Sequence, residues 1–270
     1  MLKQIEKTAD YLNYQTDHFK PELGIILGTG LGGLVREIEI KFEIGYENIP
    51  NFPISTVESH KGKLIFGIIG GKKAVLMQGR FHYYEGYSLK EVAFPVQVMK
   101  VLGIEMLLVS NAAGGLNSEF QKGDLMIIKD HINHFPGNPL IGKNIDEIGP
   151  KFVDMYEPYN KSLISEAKSI AYKLGVKTQT GVYIGLPGPM LETPSEYNYL
   201  RIIGGDAVGM STVPEIIAAK HAGLNCFACS IITDICYGEI KPVDIQDIIS
   251  TAMGAEPNLT LLFKELINKL

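Results

Sequence analysis

The chain has 270 residues, a formal net charge of −5 and 46% hydrophobic residues. That acidic balance argues against a broad nucleic-acid footprint, while leaving room for a local basic pocket that takes a small anion, and no apolar run reaches the length of a membrane span. With no linker, repeat or charge block, residues 1–270 read as one domain acting on a small molecule.

Met1 to Asn13 carries charges with apolar residues at Leu2, Ile5, Ala9 and Leu12, the spacing of an amphipathic helix and not of a signal peptide. The stretch Gly24 to Leu34, GIILGTGLGGL, comes next. Its apolar start predicts a buried strand, its glycines allow a tight turn with positive φ, and Leu34 to Ile38 can open a helix behind it. Backbone N–H groups at such a helix start, with the hydroxyl of Thr29, suit a phosphate. Gly28, Gly30 and Gly33 also fit the dinucleotide fingerprint, with Glu47 at the distance of a ribose-binding acid, but a lone match of this kind is weak. A plain glycine-rich turn is the competing reading.

Strands are expected at Ile38 to Tyr46, Lys63 to Ile69 and Lys72 to Met77, the last two joined by a Gly70-Gly71 hairpin turn. Ser88 to Leu102 has helical spacing and should kink or break at Pro95. Met106 to Ser110 reads as a strand ending in a small-residue loop, Asn111 to Gly115, and Asp124 to Lys129 as another strand. Asn133 to Pro150 shows no periodicity, and loops of that length are usually functional or lie at an interface. Helices then alternate with strands: Asn160 to Leu174, Gly181 to Leu186, Pro194 to Ile203, Ala207 to Met210, Val213 to His221 and Leu224 to Thr233. The end, Val243 to Leu270, is expected to be helical with an interruption near Pro257. This alternation, with an early antiparallel hairpin, indicates an α/β fold with a large mixed sheet.

All three cysteines lie between Cys226 and Cys236, in an apolar strand and the turn after it, which fits a reducing cytoplasm better than a disulfide framework. An offset of three sends Cys226 and Cys229 to opposite strand faces, and neither they nor His131 and His134 have enough further ligands for a closed metal site. Chemistry gathers instead in loops at strand ends: Gly28 to Gly33, Gln78 to Tyr87, Asn111 to Gly115, Pro187 to Thr193 and Thr233-Asp234, with Met210-Ser211. The loop QGRFHYYEGY supplies a bidentate anion clamp, neutral donors and aromatic surfaces for a sugar.

Together GIILGTGLGGL, STVESHKGK, QGRFHYYEGY, NAAGGLN, GDLMIIKDHIN, GPMLET and DAVGMSTVPE resemble, over nearly the whole chain, the trimeric purine nucleoside phosphorylases. The resemblance implies a single-domain nucleoside phosphorylase fold, with a mixed sheet distorted into a barrel and flanked by helices. It also implies a cytoplasmic homotrimer that cleaves inosine, guanosine and their 2′-deoxy forms with phosphate, in purine salvage, without metal or organic cofactor. It assigns Thr29, His60, Arg80, Ala112 and Ser211 to phosphate, and His82, Tyr84 and Met210 to ribose. Ala113, Gly114, Glu192, Val208, Thr233 and Asp234 fall to the base, with His82, Glu192 and Asp234 as the catalytic set. The chemistry requires these types, because anionic phosphate stabilises an oxocarbenium-like sugar and a donor near N7 eases departure of the purine.

The sequence departs from the family pattern at four places. Leu191 stands where an aromatic often stacks on the base, and Ile148 where a neighbouring subunit often contributes a phenylalanine. No histidine lies near Val243 to Ile245, where many members hold the ribose 5′-hydroxyl. Asp234 replaces the usual asparagine. Ionised, it accepts from a 6-amino group and repels O6; protonated, it can donate to N7. The expectation is that 6-oxopurine nucleosides remain substrates while adenosine activity rises. A 5′-methylthioadenosine phosphorylase, a nicotinamide oxidoreductase and a non-catalytic nucleoside-binding protein are the competing readings.

Overall fold

The computed structural model describes residues 1–28, 32–54, 62–240 and 242–270. Its frame is a nine-stranded sheet in the order β2-β3-β4-β1-β5-β8-β7-β6-β9, and β9 also pairs with β5. The strands are β1 (Leu23–Leu27), β2 (Glu39–Gly45), β3 (Lys63–Ile69), β4 (Lys72–Gln78), β5 (Met106–Gly115), β6 (Leu125–Asn133), β7 (Thr178–Gly185), β8 (Ala207–Gly209) and β9 (Asn225–Ile235). Strands β5, β8, β7, β6 and β9 therefore close on themselves as a barrel, while β1 to β4 extend from β5 as an open wing. The helices are α1 (Leu2–Gln15), α2 (Leu89–Leu102), α3 (Lys161–Leu174), α4 (Pro194–Ile202), α5 (Val213–His221) and α6 (Ile245–Ile267).

Strand periodicity divides the core. On β1, Ile26 enters the cluster beneath α1, α2 and α5, whereas Leu23, Ile25 and Leu27 enter the one beneath α3 and α6. On β9, Cys226 and Cys229 separate in the same way, as their offset predicts.

Several local expectations change. Gly70 and Gly71 do make the hairpin turn, both at positive φ. Gly28, Gly32 and Gly33 do not adopt positive φ, and a short 3₁₀ segment, Gly32–Glu37, lies between β1 and β2. Among the described residues no α-helix connects β1 to a parallel neighbour there, so the dinucleotide reading loses the helix it needs, and Glu47 lies in a separate 3₁₀ turn, bonded to Asn48. Glycine is needed at 28 for close approach: a Cβ would sit 3.0 Å from both the Asn111 Cα and the Ser110 carbonyl oxygen.

Helix α2 runs unbroken through Pro95, and α6 through Pro257. A proline in a helix interior costs about 3 kcal/mol, but Val92 to Met99 is buried throughout and α6 buries Ala255, Leu259, Leu262, Phe263, Leu266 and Ile267. Packing on that scale overrides the local preference. Asn111 to Gly115 is strand instead of loop, because small residues let β5 pair with β8 on one side and β9 on the other. Between Asn133 and α3 no helix or strand forms, as the absence of periodicity predicts.

Candidate active site

A cleft of about 170 Å³ opens where β1, β4, β5, β8 and β9 end. Every site position named from the sequence lines it except Thr29 and His60, which lie outside the described residues. Strand β5 runs along the cleft and divides it into two ends.

At one end Arg80 is 1% exposed. Its Nε donates to Glu215 Oε1 at 2.9 Å, and Nη1 donates to the Ser110 carbonyl at 2.8 Å and to Ser211 Oγ at 3.3 Å. Ser211 is held in turn: its N–H donates to the Tyr183 hydroxyl at 3.3 Å, and its Oγ lies 3.1 Å from Thr212 Oγ1. The Asn111 amide donates to that Thr212 hydroxyl at 2.8 Å. Thr212 is the N-cap of α5 and has φ +69° with ψ −51°, a positive-φ conformation that a β-branched residue adopts only under strain. Burial of Tyr183 raises its pKa, so it remains a neutral donor and acceptor. A fixed cation beside a hydroxyl and a helix N-terminus is chemically suited to an anion.

In the middle, Glu85 Oε1 accepts from the His82 backbone N–H at 2.8 Å and lies 3.0 Å from Nδ1, favouring the tautomer that carries its proton on Nδ1. The Tyr84 ring stacks on the imidazole at 4.6 Å, and burial pushes its hydroxyl up to about 12. Met210 occupies the space that a side chain at Gly188 would need, since a Cβ there would come within 2.3 Å of its sulfur.

The other end is carboxylate-rich. A bulge interrupts the β5–β9 register, with Ala113 opposite Ile232 but Gly114 opposite Asp234. Regular alternation would point Thr233 and Asp234 to opposite faces; the extra residue lets both reach the cleft. Thr233 Oγ1 donates to Asp234 Oδ1 at 2.9 Å, and the Cys236 thiol donates to Oδ2 at 3.2 Å. Glu192 reaches the same end from the loop before α4, with Ala113, Gly114 and Val208 forming the wall. Burial raises the Glu192 pKa, and the Asp234 and Glu196 carboxylates add to it, against hydrogen bonds from its own backbone and from Tyr197.

Tyr197 and Ile248 line the cleft without having been singled out in the sequence, and Asn111, from the Asn111 to Gly115 segment that was, lines it too. Glu215 had a signal, a lone acid inside the apolar helix VPEIIAAKH. Tyr197 had none, since one tyrosine on an amphipathic helix is ordinary. The α6 residue in the cleft is Ile248, while Val243 lines a neighbouring cavity. Leu191 does line the cleft, whereas Ile148 packs against its own core. The Gly33 N–H, expected to be free for phosphate, donates to Glu256 Oε1 of α6 at 2.5 Å.

Residues 22–268 match the family model described as the phosphorylase superfamily. Purine nucleoside phosphorylase 1 of Geobacillus stearothermophilus is 48% identical over 267 residues, covering 98% of this chain and 97% of that protein. The purine nucleoside phosphorylase of Rattus norvegicus is 43% identical, covering 94% and 90%. A crystal structure of the Schistosoma mansoni enzyme in complex with adenosine superposes with a TM-score of 0.93 at 41% identity, covering 99% of this chain and 97% of that one. A complex of that enzyme with hypoxanthine gives the same TM-score, 0.93. With its fold and its sequence matched over nearly their whole length, the chain belongs to the purine nucleoside phosphorylase family of the phosphorylase superfamily.

Proposed function

We propose that the chain cleaves purine nucleosides with inorganic phosphate, giving the free base and ribose 1-phosphate, or deoxyribose 1-phosphate from 2′-deoxy substrates, as a cytoplasmic salvage enzyme. One observation carries this reading. Strand β5 holds a buried Arg80 at Ser110 and a base-reading carboxyl pair at Gly114, a separation of about 13 Å along an extended strand. An anion, a pentose and a bicyclic base fit in sequence along that span.

Phosphate binds at Arg80, Ser211 and the Ala112 backbone, with Thr29 and His60 completing the set. His82, Tyr84 and Met210 hold the ribose, and Ala113, Gly114, Val208, Thr233, Glu192 and Asp234 enclose the base. A phosphate oxygen attacks C1′ as the C1′–N9 bond breaks. The bonding pair leaves with the purine, which takes up one proton, and the phosphate dianion stabilises the cationic sugar. Glu192 accepts the N1–H of a 6-oxopurine.

Asp234 favours a second substrate. Both its oxygens accept hydrogen bonds, the arrangement of a carboxylate that can also accept from a 6-amino group, so adenosine is cleaved alongside inosine. The same carboxylate makes 5′-methylthioadenosine a substrate to test.

Residues 1–270 act as one domain and assemble as a homotrimer. The long connection before α3 supports assembly, because Ile141, Phe152 and Tyr156 are 59%, 86% and 82% exposed there. Light scattering at three times the chain mass is the expected result. No helix among the described residues is long and apolar enough to cross a membrane.

The test is base release from inosine, guanosine, adenosine and methylthioadenosine, with and without phosphate, followed by chromatography. Hypoxanthine and guanine should appear only with phosphate. Absence of phosphate-dependent release from all four would overturn the assignment.

A further inference from the structure

Cys236 does not line the main cleft. It lines a second cavity of about 300 Å³ behind the base end, and Asp234, Tyr197 and Ile248 form the wall common to both. The residue is 2% exposed, and its thiol donates to Asp234 Oδ2. A Cβ at Gly114 would come within 2.7 Å of the sulfur and 3.1 Å of Asp234 Oδ2, so only glycine on β5 leaves room for this pair. Tyr197 is the other neighbour, packed in the same cluster as Cys236 and lining the cleft with Glu192. A phenol and a thiol thus back the base end.

We propose that Cys236 is a positioning residue for base selection, its thiol holding Asp234 as an oriented acceptor for a 6-amino group. This rests on the purine-cleaving reading above. Thr233 and Cys236 each supply one donor to Asp234, and both donors satisfy the ionised form. Without the thiol, one oxygen loses its donor, and the carboxyl is no longer held in the orientation that accepts from a 6-amino group. Cys236 therefore biases the site toward 6-amino bases, acting through Asp234 with no contact of its own to the base.

The test compares Cys236→Val, Cys236→Ala and Cys236→Ser in the unaltered chain and in the Asp234→Asn background. The readouts are the inosine-to-adenosine ratio of kcat/KM and the hypoxanthine-to-adenine ratio of calorimetric affinities. Val and Ala should each raise both ratios about fivefold, the worth of one ordinary hydrogen bond. Ser, which keeps a donor, should stay within about twofold of the unaltered chain, less than such a bond. In the Asp234→Asn background the same changes should leave the ratios unmoved. Equal ratios in Val, Ala and unaltered chains, or equal shifts with Asn at 234, would overturn the role. If no nucleoside is cleaved, the enzymatic reading fails, and the affinity ratios still decide the inference. Binding of neither base overturns both. Should Val unfold the chain, Ala and Ser carry the comparison.

Discussion

The two ends of the cleft are built on different physics. At the Arg80 end the hydrogen-bonded side chains among the described residues are buried and tied to a strand or helix: Arg80 to Glu215 and the Ser110 carbonyl, Ser211 to Tyr183, and Thr212 to Asn111. At the base end the groups sit on loops or after a bulge, Glu192 and Asp234 are only partly buried, and two carboxyls face one another's field. An end that always meets the same anion can be rigid and charge-matched. An end that distinguishes bases needs groups whose protonation and partners can differ, and its chemistry is therefore easier to shift.

The largest break in this contrast should come from Glu215→Ala. It leaves Arg80 buried without its counter-charge, and losing one partner of a buried pair destabilises by about 3–5 kcal/mol. Thermal unfolding should show a drop of many degrees. Preservation of the melting temperature would mean that the pair is not part of what makes this end rigid.

Next comes Asp234→Asn, which leaves the Arg80 end untouched. The amide can donate to O6 or N7, so the inosine-to-adenosine ratio of kcat/KM should rise about tenfold, the scale of a hydrogen bond to a charged group. KM for phosphate should not move. An unchanged ratio would remove Asp234 from base selection.

A smaller, graded shift is expected with pH. In the proposed role Glu192 accepts the N1–H of a 6-oxopurine best when ionised, and burial lifts its pKa above the ordinary glutamate value. As pH falls, Glu192 therefore takes its proton earlier than a solvated glutamate, and inosine efficiency drops. Protonated Glu192 donates to the N1 lone pair of adenine, so adenosine efficiency falls less. The inosine-to-adenosine ratio should decline on acidification, and a flat ratio through the titration would contradict the assigned acceptor.

Thr212→Gly should have the smallest effect. Glycine adopts φ near +69° freely, relieving strain of about 1–3 kcal/mol, but the bond from Asn111 is lost, at about 1 kcal/mol. Net stability should change little, while KM for phosphate rises as Ser211 loosens. A fall in stability with unchanged KM would show that Thr212 serves packing alone.

The difference between the ends also governs how much of each was legible beforehand. That Arg80, Ser211, Glu192 and Asp234 meet in one cleft was readable because reactive side chains cluster in short loops after apolar strands. Tyr197 escaped because one tyrosine on an amphipathic helix is ordinary, and Glu215, though a lone acid in an apolar helix, has its partner Arg80 135 residues away in the chain. In the Gly28–Gly33 stretch Thr29, Gly30 and Leu31 lie outside the described residues, and the two end glycines differ from the expectation. Its glycine at 28 admits β5 instead of making a left-handed turn, and its Gly33 N–H is taken by Glu256, 223 residues away in the chain.

By itself the sequence determined the alternation of strands and helices, the hairpin at Gly70-Gly71, the opposed faces of Cys226 and Cys229, and the family. Each comes from local period, turn chemistry or an ordered set of motifs. Only the tertiary structure decided that α2 and α6 run through their prolines, that Asn111 to Gly115 is a strand with partners on both sides, and that a bulge turns Thr233 and Asp234 to one face. Those outcomes depend on packing and pairing between segments far apart in the chain, where burial and register outweigh local propensity.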